Sequence, residues 1–345
     1  MMDINIRKEG VVGRITLNRP KALNALSYGM CLKIEKALDS WKDDASIKLL
    51  LIDAEGDRAF CAGGDITEMY NTGKNGDFDY GRKFWRDEYR MNAKMFEFPK
   101  PVVSLMQGFT MGGGVGVGCH ASHRVVCDSS QIAMPEVGIG LIPDVGGSLI
   151  LARAPGRLGE YLGTTAARLG PADAIYAGFS DYYIPENEWP ALIAKLVESG
   201  DPQAVDTLAM IAPESTFAKQ KTEIDKHFAG ESLSDIARSL TASEDAFSDE
   251  TLKALNRNAP LSMACAVEII HRVRGLDTIR AALEQEYRFT HRAMEHADFL
   301  EGIRAQIIDK DRNPQWKHKD LQSVPLIDVT SMLLPVKDVA LEFGE

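Results

Sequence analysis

The sequence has little cysteine: 345 residues contain five, namely Cys31, Cys61, Cys119, Cys127 and Cys265. They are scattered, odd in number and never arranged as CxxC, which favours free thiols in a reducing compartment over a disulfide framework. His120 and His123 lie near two of them, but no acidic residue stands among these side chains as a further ligand. Core or helix-surface histidines are therefore favoured over a metal site, and no metal is expected.

Long apolar runs and an excess of positive charge are also missing. The runs IKLLLI (47–52) and VVSLM (102–106) are far too short to span a membrane. The chain has 39 Lys and Arg against 50 Asp and Glu, a net charge of −11, which argues against a broad surface for nucleic acid or anionic membrane. The first twenty residues show neither a secretory signal nor an amphipathic presequence. We expect a cytoplasmic protein, or a mitochondrial matrix protein if a presequence has been removed.

Several catalytic and nucleotide-binding motifs are absent as well. There is no GxxxxGK[ST], and after Gly112 and Gly114 the third position of a GxGxxG motif is occupied by Val117. There is no GxSxG nucleophile elbow and no HExxH. Nucleotide-binding, serine-hydrolase and zinc-protease interpretations therefore have no anchor in the sequence.

The order of the patterns that are present predicts an α/β core followed by helices. Two strands are predicted over residues 3–18, then an amphipathic helix, the buried strand 47–52 and a glycine turn at 62–65. An aromatic-rich helix over 77–98 and the strand 102–106 follow, and beyond Asp201 the pattern is helical throughout. We place a domain boundary between 1–205, the core, and 206–345, the helical region.

Two glycine clusters carry the first functional signal. AGGD (62–65) and MGGGVG (111–116) each follow a predicted buried strand. Turn chemistry and tight helix packing explain either cluster taken singly. As a pair, they could direct two backbone N–H groups at one carbonyl oxygen, where donors are worth most as negative charge develops.

Two isolated carboxylates carry the second signal. Glu136 and Asp144 lie in the segment MPEVGIGLIPDVGG (134–147), which is otherwise almost wholly apolar. A lone carboxylate is usually a helix cap or a solvated loop residue, and Asp144 after Pro143 suits a turn. Carboxylates in apolar surroundings have raised pKa values, which suits acid–base catalysis, and this favours the functional interpretation.

Together these motifs resemble the enoyl-CoA hydratase/isomerase (crotonase) superfamily. The matching segments are LNRPKALNAL (17–26), FCAGGDI (60–66) and GFTMGGGVG (108–116). MPEVGIGLIPDVGG (134–147) and DFLEGIRAQIIDKDRNPQW (298–316) resemble the 3-hydroxyisobutyryl-CoA hydrolase branch in particular. The resemblance runs from about residue 4 to residue 325, and it implies a crotonase-like spiral of β-β-α units with a helical C-terminal region.

The resemblance also implies roles for individual residues. The acyl-CoA thioester oxygen would lie between the backbone N–H groups of Gly64 and Gly113. Glu136 matches the acid/base glutamate and Asp144 the second carboxylate of the hydrolase branch. The remaining residues expected to bind substrate, several of them beside the adenosine part of CoA, are Glu88, Lys21, Ala22, Leu23, Ala62 and Asp65.

One departure from the hydratases bears on the reaction. Hydratases of the superfamily carry a second glutamate three residues after the oxyanion-hole glycine, and here that position is Gly116. The resemblance therefore favours hydrolysis of a 3-hydroxyacyl-CoA thioester over hydration. CoA would be part of the substrate, and no other cofactor is expected. An enoyl-CoA isomerase or hydratase, or a non-catalytic CoA-binding protein on the same fold, stays open, as does self-association through the C-terminal helices.

Overall fold

The structure, a computed structural model, describes residues 2–337 and 341–343. The chain forms two compact units, each assembled from three stretches. The sheet unit contains the residues up to Asp65 together with Arg90–Ala133 and Arg168–Ala218. The helical unit contains Ile66–Tyr89, Met134–Ala167 and the chain from Lys219 onward. These units alternate along the chain, and the boundary between 1–205 and 206–345 stays a prediction.

All strands found in the described residues belong to the sheet unit. They are β1 (Ile4–Glu9), β2 (Val12–Leu17), β3 (Leu49–Ala54), β4 (Ala59–Cys61), β5 (Val102–Met106), β6 (Phe109–Met111), β7 (His123–Val126), β8 (Gln131–Ala133) and β9 (Tyr182–Tyr183). One sheet has the order β1-β2-β3-β5-β7-β9, and a smaller one has the order β4-β6-β8. Only the β1–β2 pair is antiparallel; the neighbouring strands of both sheets otherwise run parallel.

The large sheet is buried as its sequence predicts. The whole of β5 is buried, and β3 is buried except at its last residue. Near-continuous apolar strands are typical of parallel sheets that are covered on both faces. One face packs against helix residues Trp189, Leu192 and Leu196, which join Leu49, Leu51, Val103 and Leu105 in one apolar core cluster. The mixed α/β prediction is confirmed in this unit.

Sixteen α-helices occur in the described residues. They are α1 (Tyr28–Trp41), α2 (Thr67–Lys74), α3 (Asp79–Phe96), α4 (Gly113–Gly118), α5 (Gly147–Arg153), α6 (Leu158–Thr165), α7 (Pro171–Tyr176), α8 (Trp189–Ser199), α9 (Gln203–Leu208), α10 (Thr216–His227), α11 (Leu233–Thr241), α12 (Ala246–Leu255), α13 (Pro260–Leu276), α14 (Ile279–His296), α15 (Phe299–Ile303) and α16 (Leu326–Met332). Short 3-10 helices cover Pro20–Ala22, Glu136–Ile139 and Glu186–Glu188, and a π-helical turn covers Arg304–Ile308. None of the helices within these residues is long and apolar enough to cross a membrane.

The first helix shows how local sequence sets an element. Ser27 accepts a hydrogen bond from the N–H of Met30, which caps the start of α1. Ile34, Leu38 and Trp41 form its buried face, as the helical spacing predicts. Leu32 is expected on this face as well, but it is exposed, because a residue two positions before Ile34 lies on the opposite side of the helix.

The helical unit is held partly by a buried ion-pair cluster. Glu160 of α6 is fully buried, and both of its oxygens accept hydrogen bonds from Arg274 of α13, at 2.9 and 3.0 Å. His271 and Arg157 contact the same carboxylate. These hydrogen bonds outweigh desolvation and lower the pKa of Glu160 to about 2.

Candidate active site

The two predicted glycine turns leave the same edge of the small sheet. β4 and β6 are parallel neighbours, paired at Ala59 with Phe109 and at Cys61 with Thr110. The carboxyl ends of parallel strands lie at one edge, so the chain following Cys61 and the chain following Met111 emerge side by side. The structure therefore brings the AGGD and MGGG segments together within the sheet unit.

The geometry of the AGGD turn orients the N–H of Gly64. The carbonyl of Gly63 accepts from the N–H of Leu26 at 2.9 Å, and the N–H of Asp65 donates to the carbonyl of Leu26 at 2.9 Å. In an extended segment the groups of the intervening residue face the other way, so the N–H of Gly64 points away from Leu26. Gly63 has a φ of +116°, a conformation that glycine adopts without strain.

Gly113 supplies the second N–H from the start of α4. It follows Gly112, whose φ of +48° turns the chain into the helix. The first N–H groups of a helix have no intrahelical partner, which leaves that of Gly113 available as a donor. A Cβ added at the next residue, Gly114, would lie 2.2 Å from the carbonyl oxygen of Cys61. Close packing of α4 against β4 thus explains the glycine at position 114. The available N–H group at the start of α4 is consistent with the predicted role of Gly113.

The predicted CoA-contacting segment lies beside the AGGD turn. Lys21 and Ala22 are exposed and Leu23 is half-buried in a left-handed conformation, with a φ of +50°. The carbonyl of Leu23 accepts from the N–H of Ala62 at 3.0 Å, so these predicted residues adjoin one another. Asp65 pairs with Arg19 at 3.0 Å.

Asn24 is a structural residue of this region that sequence reasoning missed. Its side-chain amide donates to the carbonyls of Glu55 and Ala59, at 2.9 and 2.8 Å. Its oxygen accepts from the N–H of Arg19 at 2.7 Å. Asn24 also has a positive φ, +54°, which asparagine tolerates better than most residues. In the sequence, Asn24 stands only within the motif that carries the family resemblance, and nothing there marks its contacts.

The predicted carboxylates lie in the helical unit. Glu136 opens the 3-10 helix that follows Pro135 and is 5% exposed, while Asp144 is 4% exposed. The phenolic O–H of Tyr89 donates to Asp144 Oδ2 at 2.7 Å. Within the described residues, Oε2 of Glu136 has no hydrogen-bond partner. A buried acid with an oxygen left free is costly to keep, which is typical of reactive sites.

A segment near the C-terminus fixes the backbone that carries Glu136. A Cβ at Gly302 would lie 2.2 Å from the carbonyl oxygen of Ile139, and one at Gly140 would lie 2.4 Å from the carbonyl of Asp298. Two backbones can approach this closely only at glycine. The DFLEGIRA segment (298–305) therefore packs directly on the turn that carries Glu136. This contact gives a physical reason why the segment belongs to the motifs that carry the resemblance.

Burial controls the protonation of these acids. Desolvation, followed by the charge of Asp144, raises the pKa of Glu136 well above its ordinary value. Desolvation raises the pKa of Asp144 to about 7, although the hydrogen bond from Tyr89 acts in the opposite direction. The contrast with Glu160 identifies the cause, because that equally buried acid has cationic partners and a lowered pKa.

Glu88, the third predicted carboxylate, precedes Tyr89 on α3. It is 3% exposed, and its Oε1 has no hydrogen-bond partner within the part of the chain that the structure describes. Desolvation and the charge of Asp144 raise the pKa of Glu88 well above its ordinary value. The structure thus groups Glu88, Glu136 and Asp144 in one electrostatically coupled cluster.

Sequence reasoning missed two members of this cluster, Tyr89 and Glu286. In the sequence Tyr89 is one of several aromatic residues of the predicted helix 77–98, and nothing there distinguishes it from the others. Glu286 is fully buried on α14 and contacts the turn that follows Asp144. It lies at helical spacing between the buried Leu283 and Ala293, and a carboxylate within an apolar stripe is a signal that could have found it.

One group in the described residues has a ligand set that could hold a metal ion. Glu223 and His227 of α10 and Asp245, the cap of α12, bring ligand atoms within 4.8 Å of one another. Glu223 and His227 are four residues apart on one helix, and Asp245 accepts a hydrogen bond from Ser248 N. The ion pair of Glu223 with Lys226, the hydrogen bond of His227 with Ser239 and the helix cap account for the group. His120 packs on Phe96 and His123 stacks on Tyr182, with ring centroids 5.8 and 6.0 Å apart.

Comparison with solved structures identifies the class of fold. The chain is similar to the crystal structure of an enoyl-CoA hydratase from Rhodobacter sphaeroides 2.4.1, with a TM-score of 0.93 and 53% identity over 97% of this chain and 98% of that one. It is similar to a carnitinyl-CoA dehydratase from Mycobacterium thermoresistibile, with a TM-score of 0.95 and 39% identity over 100% of both chains. The crotonase-like fold predicted from the motifs is confirmed.

The sequence comparisons identify the family. A family model for enoyl-CoA hydratase/isomerase matches residues 12–333, and the chain belongs to that family. Among curated relatives, the mitochondrial 3-hydroxyisobutyryl-CoA hydrolase of Rattus norvegicus is 36% identical over 342 residues, which cover 95% of this chain and 88% of the relative. The predicted resemblance, including its hydrolase branch, is confirmed.

Proposed function

We propose that this protein hydrolyses the thioester of 3-hydroxyisobutyryl-CoA to free CoA and 3-hydroxyisobutyrate, a step of valine catabolism. The observation that carries the proposal is the buried Glu136, which keeps one oxygen without a hydrogen-bond partner in the described residues and belongs to a cluster with Asp144. An acid held in this way is available to a substrate, and its raised pKa suits proton transfer near neutral pH. Similarity to curated hydrolases over most of the chain supports the choice of substrate.

The backbone N–H groups of Gly64 and Gly113 are proposed to bind the thioester carbonyl oxygen. Negative charge develops on that oxygen as the carbonyl carbon is attacked, and the two donors would stabilise it. Removing one such donor typically costs about 100- to 1000-fold in rate. Because both donors belong to the backbone, side-chain substitutions would test them only through the packing of the turns.

Glu136 is proposed to cleave the thioester in one of two ways. Its carboxylate attacks the carbonyl carbon, the C–S bond breaks, and water then hydrolyses the resulting anhydride. Alternatively, the carboxylate takes a proton from water as that water attacks. In both routes CoA leaves as the thiolate and takes up a proton. Asp144, with Glu88 in support, is proposed to bind the 3-hydroxyl group or to assist proton transfer.

The CoA portion is proposed to lie along the exposed Lys21 and Ala22, beside Leu23 and Ala62, with Asp65 as a further contact. The exposure of Lys21 suits an ammonium group that meets a phosphorylated ligand from solvent. Thioester hydrolysis needs only water as the second reactant, so the proposed reaction calls for no metal or redox cofactor.

Hydration of an enoyl-CoA is the second candidate, and one observation favours it. The chain is 53% identical to a protein crystallised as an enoyl-CoA hydratase. Against it, the position at which hydratases keep their second glutamate is Gly116, which is buried within α4 and whose carbonyl accepts from Asn92 at 3.1 Å. With one acid of the pair missing, adding water across a double bond would be slow.

A panel of CoA thioesters separates the candidates. Native protein would be assayed with 3-hydroxyisobutyryl-, 3-hydroxypropionyl- and crotonyl-CoA, for both free CoA and hydrated product. The proposal predicts release of CoA from the 3-hydroxyacyl thioesters and little hydration. Hydration of crotonyl-CoA without thioester cleavage would establish the second candidate. Tight binding of CoA without any turnover would establish a non-catalytic binding protein.

The cellular location of the protein stays a prediction. A cytoplasmic location is proposed from the sequence, with the mitochondrial matrix as the alternative, and the rat relative is named as mitochondrial. Self-association of the chain also stays a prediction. Fractionation of the native source and sedimentation of the purified protein would test the two.

A further inference from the structure

The turn that follows Asp144 has an unusual backbone. Val145 and Gly146 both have positive φ values, +54° and +80°, before α5 begins at Gly147. A β-branched residue such as valine rarely adopts this left-handed conformation, because its side chain crowds the backbone. Strained residues of this kind persist where surrounding contacts hold them and are common at active sites.

Glu286 holds this turn from α14. One carboxylate oxygen accepts from the N–H of Gly146 at 2.8 Å. The other accepts from the N–H of Ser148 at 3.0 Å and from the hydroxyl of the same serine. The two oxygens of Glu286 have acceptor sites for all three donors, whereas the amide of glutamine, with a single oxygen, cannot accept on both sides.

The same helix reaches the side chain of Asp144 by a second route. Thr290, one turn beyond Glu286, lies with its hydroxyl 3.4 Å from the phenolic oxygen of Tyr89. That phenol donates to Asp144 at 2.7 Å. The backbone after Asp144 and the hydrogen-bond donor to its carboxylate are therefore both held by one face of α14.

We propose that Glu286 is a positioning residue, which sets the orientation of the Asp144 carboxylate for thioester hydrolysis by holding the Val145–Ser148 turn. The inference rests on the proposed function. The charge of Asp144 raises the pKa of Glu286. The charge of Glu286 in turn raises the pKa values of Glu136 and of the Tyr89 phenol.

The chemistry of Glu286 differs from that of a carboxylate kept only for stability. Glu160, which is just as buried, is bound by arginine and histidine side chains. Glu286 is bound by neutral donors and stands near another acid, and desolvation raises its pKa to about 8. Burying an acid without a cationic partner lowers the free energy of unfolding, and such acids occur mainly at functional sites.

The test replaces Glu286 by glutamine. The amide has the same shape, but its NH2 group would face either the N–H of Gly146 or that of Ser148, so the turn would shift. A displacement of about 1 Å costs about 100-fold in rate, and we expect kcat to fall by about that factor in E286Q while KM changes by less than about threefold. E284Q, an exposed position on the same helix, is the matched control and should keep native kinetics.

A double-variant cycle separates positioning from a purely structural role. If Glu286 acts through Asp144, E286Q in the D144N background should cost less than about threefold, because the group that it positions is already changed. Additive losses would overturn the proposal, as would native kcat in E286Q. S148A removes one of the three donors and should lose about tenfold, which keeps the proposal testable if E286Q does not fold. If the native protein releases no CoA from any thioester, the proposed function itself has failed.

Discussion

Replacing Tyr89 by phenylalanine should change the ionisation of Asp144 and leave the surrounding packing in place. Tyr89 is fully buried, and its ring lies edge-on to Tyr287 at 6.2 Å, a contact that phenylalanine keeps. The substitution removes the phenolic O–H that donates to Asp144 Oδ2. That bond stabilises the charged carboxylate, so the pKa of Asp144, about 7 in the native protein, should rise in Y89F.

The size of the change follows from the kind of hydrogen bond. A hydrogen bond to a charged group is worth about 1.5–3 kcal/mol, and one pH unit of pKa corresponds to about 1.4 kcal/mol. The pKa of Asp144 should therefore rise by about one to two pH units. The assay is the pH profile of kcat for CoA release from 3-hydroxyisobutyryl-CoA, followed with a thiol reagent. The protein's own cysteines are all buried, which keeps the background low.

Tyr183 provides a matched control for this experiment. It donates to Asp128 at 2.6 Å in an exposed pair of the sheet unit, so Y183F removes the same kind of bond from a carboxylate that is not part of the acid cluster. The profile of Y183F should match that of the native protein. A Y89F profile whose midpoint stays in place or moves to lower pH would refute the electrostatic account of Asp144.

Two further predictions concern stability and the oxyanion turn. Because the folded-state pKa of Asp144 is raised from 3.8 to about 7, its contribution to stability is present below pH 3.8 and is lost as the pH rises through about 7. Asparagine does not ionise, so D144N should be more stable than the native protein to urea at pH 8, by at most about 4 kcal/mol, and lower stability would contradict this. G114A should lose at least about 100-fold in kcat, or fail to fold, because its Cβ would lie 2.2 Å from the carbonyl oxygen of Cys61. G29A, at a position with no atom within 4 Å of the added Cβ, is the control, and equal activity in the two variants would show that the α4 turn tolerates displacement.

Local sequence patterns predict the elements of the fold well where one residue type dominates. The continuous apolar letters of β3 and β5 predict buried strands, and Ser27 with the spacing of Ile34 and Leu38 predicts α1. Leu32 is apolar but exposed, since helical spacing puts it opposite Ile34 rather than on the buried face. Local sequence patterns also cannot predict that the two compact units alternate along the chain, because this depends on contacts between segments that are distant in sequence.

The sequence likewise predicts some residues of the candidate site and not others. Glu136 and Asp144 can be found from the sequence because charged residues stand out in an apolar segment. The two glycine clusters can be found because they follow buried strands, but only the family resemblance singles out Gly64 and Gly113 within them. Glu286 interrupts the apolar face of its helix and could be found by the same signal as Glu136, whereas nothing local marks Tyr89 among the aromatic residues of α3. The contacts of both residues cannot be read from the sequence, since the partner of each lies far along the chain. Tyr89 is 55 residues from Asp144, and Glu286 is 140 residues from Gly146. Only the folded chain shows that a tyrosine in an aromatic helix donates to an acid on another element and opposes the effect of burial on the pKa of that acid.

The central claim is that Glu136 performs thioester cleavage, and one measurement tests it most directly. Free CoA released from 3-hydroxyisobutyryl-CoA would be measured for the native protein, for E136Q and for E198Q, an exposed glutamate of α8 as control. Glutamine has the same shape but neither attacks a carbonyl nor takes a proton from water, so E136Q should lose at least about 1000-fold while E198Q keeps the native rate. Release of CoA by E136Q at the native rate would contradict the account.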